Sequence, residues 1–237
     1  MFIPYRVDVA IHRWPVSNFA VIGASWAAYM LAYAGSGVPR GLIEGLALQR
    51  GSLTGLLTHM WLHAGIIHLV GNMLFLALFG NAICAKVGNL AYPFIYVGLG
   101  VLAGLIHLAA SSVPAVGASG AINGIVGMFL VLYPLNPVSC VYLYYVRGGT
   151  FTVSSSLVIL TWFAFDLLGM LMGAPGVAYA AHIGGFLGGV ALALALLRTG
   201  VLRPDEYERT LVDILRGTRS RPSYFERRHG RKGARPR

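Results

Sequence analysis

Ser119 sits in the run Val116-Gly-Ala-Ser-Gly-Ala-Ile-Asn-Gly124, between two small residues where a loop turns into an apolar span. A hydroxyl there either packs and hydrogen-bonds between helices or acts as a nucleophile. Spans carry serine for packing often enough that the residue alone decides nothing. A nucleophile also needs a base and a charge stabiliser at its own depth. Two other runs offer them. The stretch from His59 through His63 and His68 to Asn72 holds three histidines and an asparagine, with His68 and Asn72 four residues apart and so on one helix face. His59 and His63 share that spacing, which raises zinc; the glutamate of a His-Glu-x-x-His helix is missing and no third ligand is evident, so no metal is expected. The run Ala181-His182-Ile-Gly-Gly185-Phe-Leu-Gly-Gly189 supplies His182 as a candidate base. Gly185 and Gly189 form a small-xxx-small face matching Gly120 and Gly124, and such faces let two helices approach closely.

The elements that must position these residues are membrane spans. The chain has 237 residues, 57% hydrophobic and 11% charged, with 31 glycines and a mean hydropathy of +0.69. Soluble domains carry about 25% charged residues, so the composition excludes that class. Six apolar segments are predicted as helices of an all-α polytopic membrane protein: about 18–34, 66–85, 91–110, 118–133, 152–172 and 178–197. The start lacks a secretory leader, so the first is expected to be retained. The fourth is short, which suggests a dipping loop before it. Residues 35–65 read as an interfacial connection.

Counted at 1.5 Å per residue, Ser119 lies roughly 21–23 Å up the fourth span, His182 roughly 23–24 Å up the sixth and Asn72 roughly 21 Å up the second. Chance would scatter them. Asp166 on the fifth span also falls roughly 21 Å up.

Lys and Arg set the orientation. Arg6, Arg13, Lys86, Arg147, Arg198 and the eleven basic residues of 199–237 fall on one side, and only Arg40 and Arg50 on the other. Both termini are therefore expected in the cytoplasm: residues 1–17 as a short N-terminus, 18–198 as the membrane domain, and 199–237 as a disordered basic tail. That tail reads first as a topology signal and second as a site for anionic lipid headgroups; nothing in it favours nucleic acid. Cys84 and Cys140 are expected as free thiols.

The motifs His63-x-x-x-x-His68-x-x-x-Asn72, Gly117-Ala-Ser119-Gly120 and Ala181-His182-x-x-Gly185-x-x-x-Gly189, in this order on these spans, resemble the rhomboid intramembrane serine proteases. The resemblance implies a Ser119–His182 dyad without an acid, and no cofactor. It implies an oxyanion site from His68, Asn72 and the Ser119 backbone N–H, and a water-filled cavity with His63 and His59 at its lining. It further implies single-span membrane proteins as substrates, reaching the site through a lateral gap near the second and fifth spans, in a cell (plasma or inner) membrane. Gly117, Gly120, Gly124, Gly185 and Gly189 are expected to pack closely. Crowding around Ser119 suggests cleavage after a small residue such as Ala or Gly, in the outer third of the substrate span, with helix breakers downstream. Asn123 departs from the pattern, since an aromatic residue commonly stands there and packs on the imidazole; its amide could orient His182 instead. For Asp166, a hydrogen bond to loop backbone or water near the gap is expected in preference to a third place beside Ser119 and His182.

Two rivals remain at this level. A catalytically silent rhomboid-like protein would bind membrane clients; such relatives typically lose the Ser or the His, and this chain has both. A proton relay could use the in-span His107 and Asp166.

Overall fold

The computed structural model describes residues 2–33, 39–144, 147–205 and 208–218. It is mostly helical, and each of the six apolar segments holds a helix. These are α1 (Val16–Tyr33), α4 (Ile66–Phe75) continuing through a π-helical turn (Leu76–Gly80) into α5 (Asn81–Val87), α6 (Ala91–Ala110), α7 (Ser119–Leu132), α8 (Ser155–Leu171) and α9 (Tyr179–Arg198). Three are long and apolar enough to cross a membrane, Ile66–Val87, Ala91–Ala110 and Tyr179–Arg198, while Ser119–Leu132 and Ser155–Leu171 are shorter apolar helices. Between α1 and α4 lie the short helices α2 (Arg40–Gly45) and α3 (Leu53–Thr58).

The structure is not all-α. Strands β1 (Phe2–Val7), β2 (Pro137–Tyr144) and β3 (Arg147–Ser154) form an antiparallel sheet in the order β1-β2-β3. The hairpin joins α7 to α8, and its alternating β-branched and aromatic residues (Val138, Val141, Phe151, Val153) suit a pleated surface. Thr152 to Ser154 belong to β3, so the fifth apolar helix starts at Ser155, where the Ser154 hydroxyl caps it by accepting from the Leu157 N–H (3.4 Å).

α7 is the centre of the bundle and is buried without a break from Gly124 through Leu132. It packs against α9 and α6, and its backbone nearly meets that of α9. A Cβ on Gly185 would collide with the Gly120 carbonyl, one on Gly189 with the Gly124 carbonyl, and one on Gly127 with the Phe186 carbonyl. Small residues are therefore what brings the α7 and α9 backbones together.

A polar clamp crosses the apolar interior at the π turn. Asn18 of α1 is fully buried and donates to the Leu76 carbonyl (2.9 Å) and the Asn81 side chain (2.8 Å), while the Tyr92 hydroxyl donates to Asn18 Oδ1 (2.6 Å). The π turn leaves a carbonyl without its usual helical partner, and Asn18 supplies one.

The segment after α9 is not featureless over its described part. Lys86 pairs with Glu208 (2.5 Å) and Asp205 (3.3 Å), and α10 (Leu211–Leu215) carries a Thr210/Asp213 capping box. The rest of the basic tail lies outside the described residues.

Candidate active site

Ser119 is the first residue of α7, after the loop 111–118. Three contacts fix that loop. Leu48 and Ala115 exchange backbone hydrogen bonds (2.9 and 3.0 Å), the Gly117 N–H donates to the His59 carbonyl (2.9 Å), and His107 Nε2–H donates to the Val113 carbonyl (2.8 Å). The connection 39–65 is thus the buttress of the serine loop. As the first helical residue, Ser119 also has a backbone N–H without an intrahelical acceptor, at the positive end of the helix dipole.

Three helices bring the remaining groups to one level. The Ser119 hydroxyl and His182 Nε2 are 2.8 Å apart, and His182 Nδ1 lies 3.1 Å from Asp166 Oδ1. His68 and Asn72 stand on α4 over Gly117. A Cβ on Gly117 would fall 2.7 Å from His68 Cε1, 2.9 Å from His68 Nε2 and 3.7 Å from Asn72 Nδ2, and Gly117 has φ +128, a conformation that only glycine takes without strain. The Ala64 N–H donates to His68 Nδ1 (3.4 Å), which leaves Nε2 as the protonated nitrogen of a neutral ring and turns a donor toward Gly117. Asn72 Nδ2 is buried without a hydrogen-bond partner among the described residues. Two donors thus face the space beside the serine hydroxyl.

These groups line a cavity of about 420 Å³ whose walls include Phe75, Trp162 and Phe186. A second apolar hollow of about 420 Å³ adjoins it, shares Ile67, Gly71, Phe75 and Trp162, and extends past Val70 and Leu74 to Ile3 and Pro4 of β1.

Several expectations need correction. Asn123 Nδ2 donates to the Ser119 carbonyl one turn back (3.0 Å), and among the described residues the hydrogen-bond partner of His182 Nδ1 is Asp166 and not the Asn123 amide. Asp166 therefore points at the imidazole and not at loop backbone. His59 and His63 are not on the cavity wall. His59 Nδ1–H donates to the Gly55 carbonyl (2.9 Å) and its own carbonyl holds Gly117, so it braces the loop. His63 is wholly buried, with its ring edge-on to His68 at 5.2 Å. Burial and then the neighbouring His68 push the His63 imidazole down to about 4. Gly120 and Gly124 face Ala103, Ala181 and Leu99 in the packed interior and not the cavity. Among the described residues no three His, Cys, Asp or Glu side chains form a group that could hold a metal ion.

A family model described as the Rhomboid domain matches residues 50–199, more than half of the chain. The chain belongs to the rhomboid family. Similar rhomboids include RHOMBOID-like protein 7 of Arabidopsis thaliana, 32% identical over 186 residues covering 77% of this chain and 54% of that protein. RHOMBOID-like protein 2 of the same plant is 38% identical over 147 residues, 60% of this chain and 42% of that protein. Rhomboid protease GluP of Bacillus subtilis (strain 168) is 30% identical over 156 residues, 66% of this chain and 28% of that protein. The chain spans about half the length of the plant relatives it matches. The matched span of this rhomboid includes Ser119, His182, His68, Asn72 and Asp166, and leaves β1 and α1 outside.

Proposed function

We propose that this rhomboid is an intramembrane serine endopeptidase, with Ser119 as nucleophile and His182 as general base. The observation that carries the reading is the 2.8 Å approach of Ser119 Oγ to His182 Nε2 in a cavity faced by the unpartnered Asn72 amide. The name of the Bacillus relative, a rhomboid protease, agrees with it.

As Ser119 Oγ bonds to the scissile carbonyl carbon, its proton passes to His182 Nε2. The carbonyl oxygen becomes an oxyanion, held by the Ser119 backbone N–H, Asn72 Nδ2 and His68 Nε2. The C–N bond then breaks, and Nε2 gives its proton to the leaving amine. Water attacks the acyl-enzyme through the same base, releasing the acid and restoring the serine.

In this reading α1, α4–α5, α6, α7, α8 and α9 all cross the membrane, with both termini in the cytoplasm and the serine end of α7 toward the outside. At 14 residues α7 is roughly 21 Å long against a hydrocarbon core of about 30 Å, so Ser119 lies below the surface and the loop 111–118 dips to meet it. Substrates are single-span membrane proteins of a cell membrane. Their approach runs between α4 and α8, where the adjoining apolar hollow offers a helix-compatible path. The test is cleavage of single-span substrates by purified protein in proteoliposomes. Ser119→Ala abolishes cleavage with helicity unchanged; cleavage at the wild-type rate overturns the assignment and leaves client binding as the role.

A further inference from the structure

We propose that Asp166 is a positioning residue for this reaction: its carboxylate holds the His182 imidazole in the tautomer and orientation that allow Nε2 to take the Ser119 proton. The protein then works with three groups where the family resemblance implies two. The proposal rests on the Ser119–His182 reading above.

The two contacts of His182 use opposite ring nitrogens, Nδ1 to Asp166 Oδ1 at 3.1 Å and Nε2 to Ser119 Oγ at 2.8 Å. The His182 and Asp166 side chains are 15% and 19% exposed, and among the described residues His182 is the only ion-pair partner of Asp166. A carboxylate at membrane depth is expensive and has to be held by a partner. The other residues around the ring leave Nδ1 to Asp166. Asn123 is engaged with the Ser119 carbonyl, and Tyr179 meets the ring edge-on at 6.4 Å between centroids, as an apolar wall.

The chemistry follows from the hydrogen-bond inventory. A neutral imidazole carries one proton, and either nitrogen can hold it. An ionised carboxylate only accepts, so the proton sits on Nδ1 and Nε2 presents its lone pair to the Ser119 hydroxyl. When Nε2 becomes protonated, the positive ring stands against a negative oxygen in a cavity that screens little. A tether between α8 and α9 is the plain alternative, and it would change stability without touching the tautomer.

The test uses the full chain in proteoliposomes with a single-span substrate. Asp166→Asn is expected to lower kcat by about 10²-fold, within the range of general acid–base contributions, and to move KM by less than about twofold. Asp166→Glu should recover at least about tenfold of that loss, since it restores the carboxylate. The pH profile separates positioning from a tether. The groups facing His182 are Asp166 from α8, Ser119 from α7, Tyr179 on its own helix and His68 across the cavity from α4; Asp166→Asn changes only the first. Losing the negative charge makes the imidazolium harder to form, so the acid limb of kcat/KM moves to lower pH. Full kcat within about threefold in Asp166→Asn, with the acid limb in place, overturns the proposal. Nitrogen NMR of wild-type protein with labelled histidine, with His182→Ala to assign the signal, decides the matter even where Asp166→Asn fails to fold. A resting His182 protonated at Nδ1 supports the proposal, and one protonated at Nε2 overturns it. Wild-type cleavage by Ser119→Ala would instead remove the underlying reading, so the two failures are distinguishable.

Discussion

Asn72 shows how function is written into a single side chain. Its Nδ2 is buried without a partner among the described residues, and an unmade bond of that kind costs about 1–3 kcal/mol. Removing the amide should therefore not weaken the fold, while in the proposed reaction it withdraws one oxyanion donor worth about 2.7–4 kcal/mol of transition-state stabilisation. Asn72→Ala is expected to lose about 10²–10³-fold in kcat, less than Ser119→Ala, at an unchanged or raised melting temperature. A large fall in melting temperature would mean that Asn72 is structural. His63 makes a second residue-scale prediction. Its folded pKa of about 4 lies below the ordinary 6.5, so the unfolded chain binds the extra proton first. Stability from this group is full above pH 6.5 and is lost as pH falls from there toward 4. His63→Phe, which keeps a ring against His68, should flatten the fall in melting temperature over that window. An unchanged slope would show that His63 titrates alike folded and unfolded.

At the scale of elements, glycine sets the distance between α7 and α9, and that can be read as stability. Gly189→Ala drives a Cβ into the Gly124 backbone, which cannot rotate away, and should cost about 1–3 kcal/mol or more in thermal unfolding. Gly23→Ala on α1 meets nothing within 4 Å and should leave stability unchanged or raise it by up to about 1 kcal/mol. Equal effects of the two would contradict the packing. Asn18→Ala should cost about 1–3 kcal/mol, since it leaves the Leu76 carbonyl and the Tyr92 hydroxyl unpaired in an apolar interior; a neutral result would mean that the π turn needs no clamp. The helices were legible because each is a long apolar run, and the level of Ser119, His182 and Asn72 because a rise of about 1.5 Å per residue is all that counting requires. The sheet was not legible: β2 and β3 adjoin apolar helices, so their short alternation merges into the neighbouring runs, and β1 pairs with a strand more than a hundred residues away. The partner of His182 was half legible. Depth placed Asp166 level with the imidazole, but rotation about the helix axis decides which side chain meets the ring, and depth says nothing of rotation. The same blindness left Asn123 open as a partner for His182 and placed His59 and His63 on the cavity wall.

The whole molecule is apolar on its surface as well as in its core. Leu90, Phe94, Leu171 and Met172 are exposed, while Asn18, His63, His107 and Ser155 are buried, as a bilayer solvent requires. In the proposed orientation the serine lies below the surface, so the scissile bond has to be presented as extended chain, and a substrate helix must unwind before its carbonyl is free. Gly120 and Gly124 face the packed interior, so of the glycines around Ser119 only Gly117, beneath His68 and Asn72, can crowd the residue at the cut. The requirement for unwinding remains. Replacing glycine or proline just downstream of the cut by leucine should slow cleavage, since these residues weaken a helix by about 1 and 3 kcal/mol against alanine. An unaffected rate would mean that the substrate arrives already unfolded. All of this depends on Ser119 being a nucleophile activated by His182. The most direct measurement is mass spectrometry of the purified protein after reaction with a fluorophosphonate, locating the adduct residue by residue. The account predicts one phosphonylated serine, Ser119, with labelling abolished in His182→Ala although the hydroxyl is still present. An adduct elsewhere, or undiminished labelling of Ser119 in His182→Ala, would contradict it.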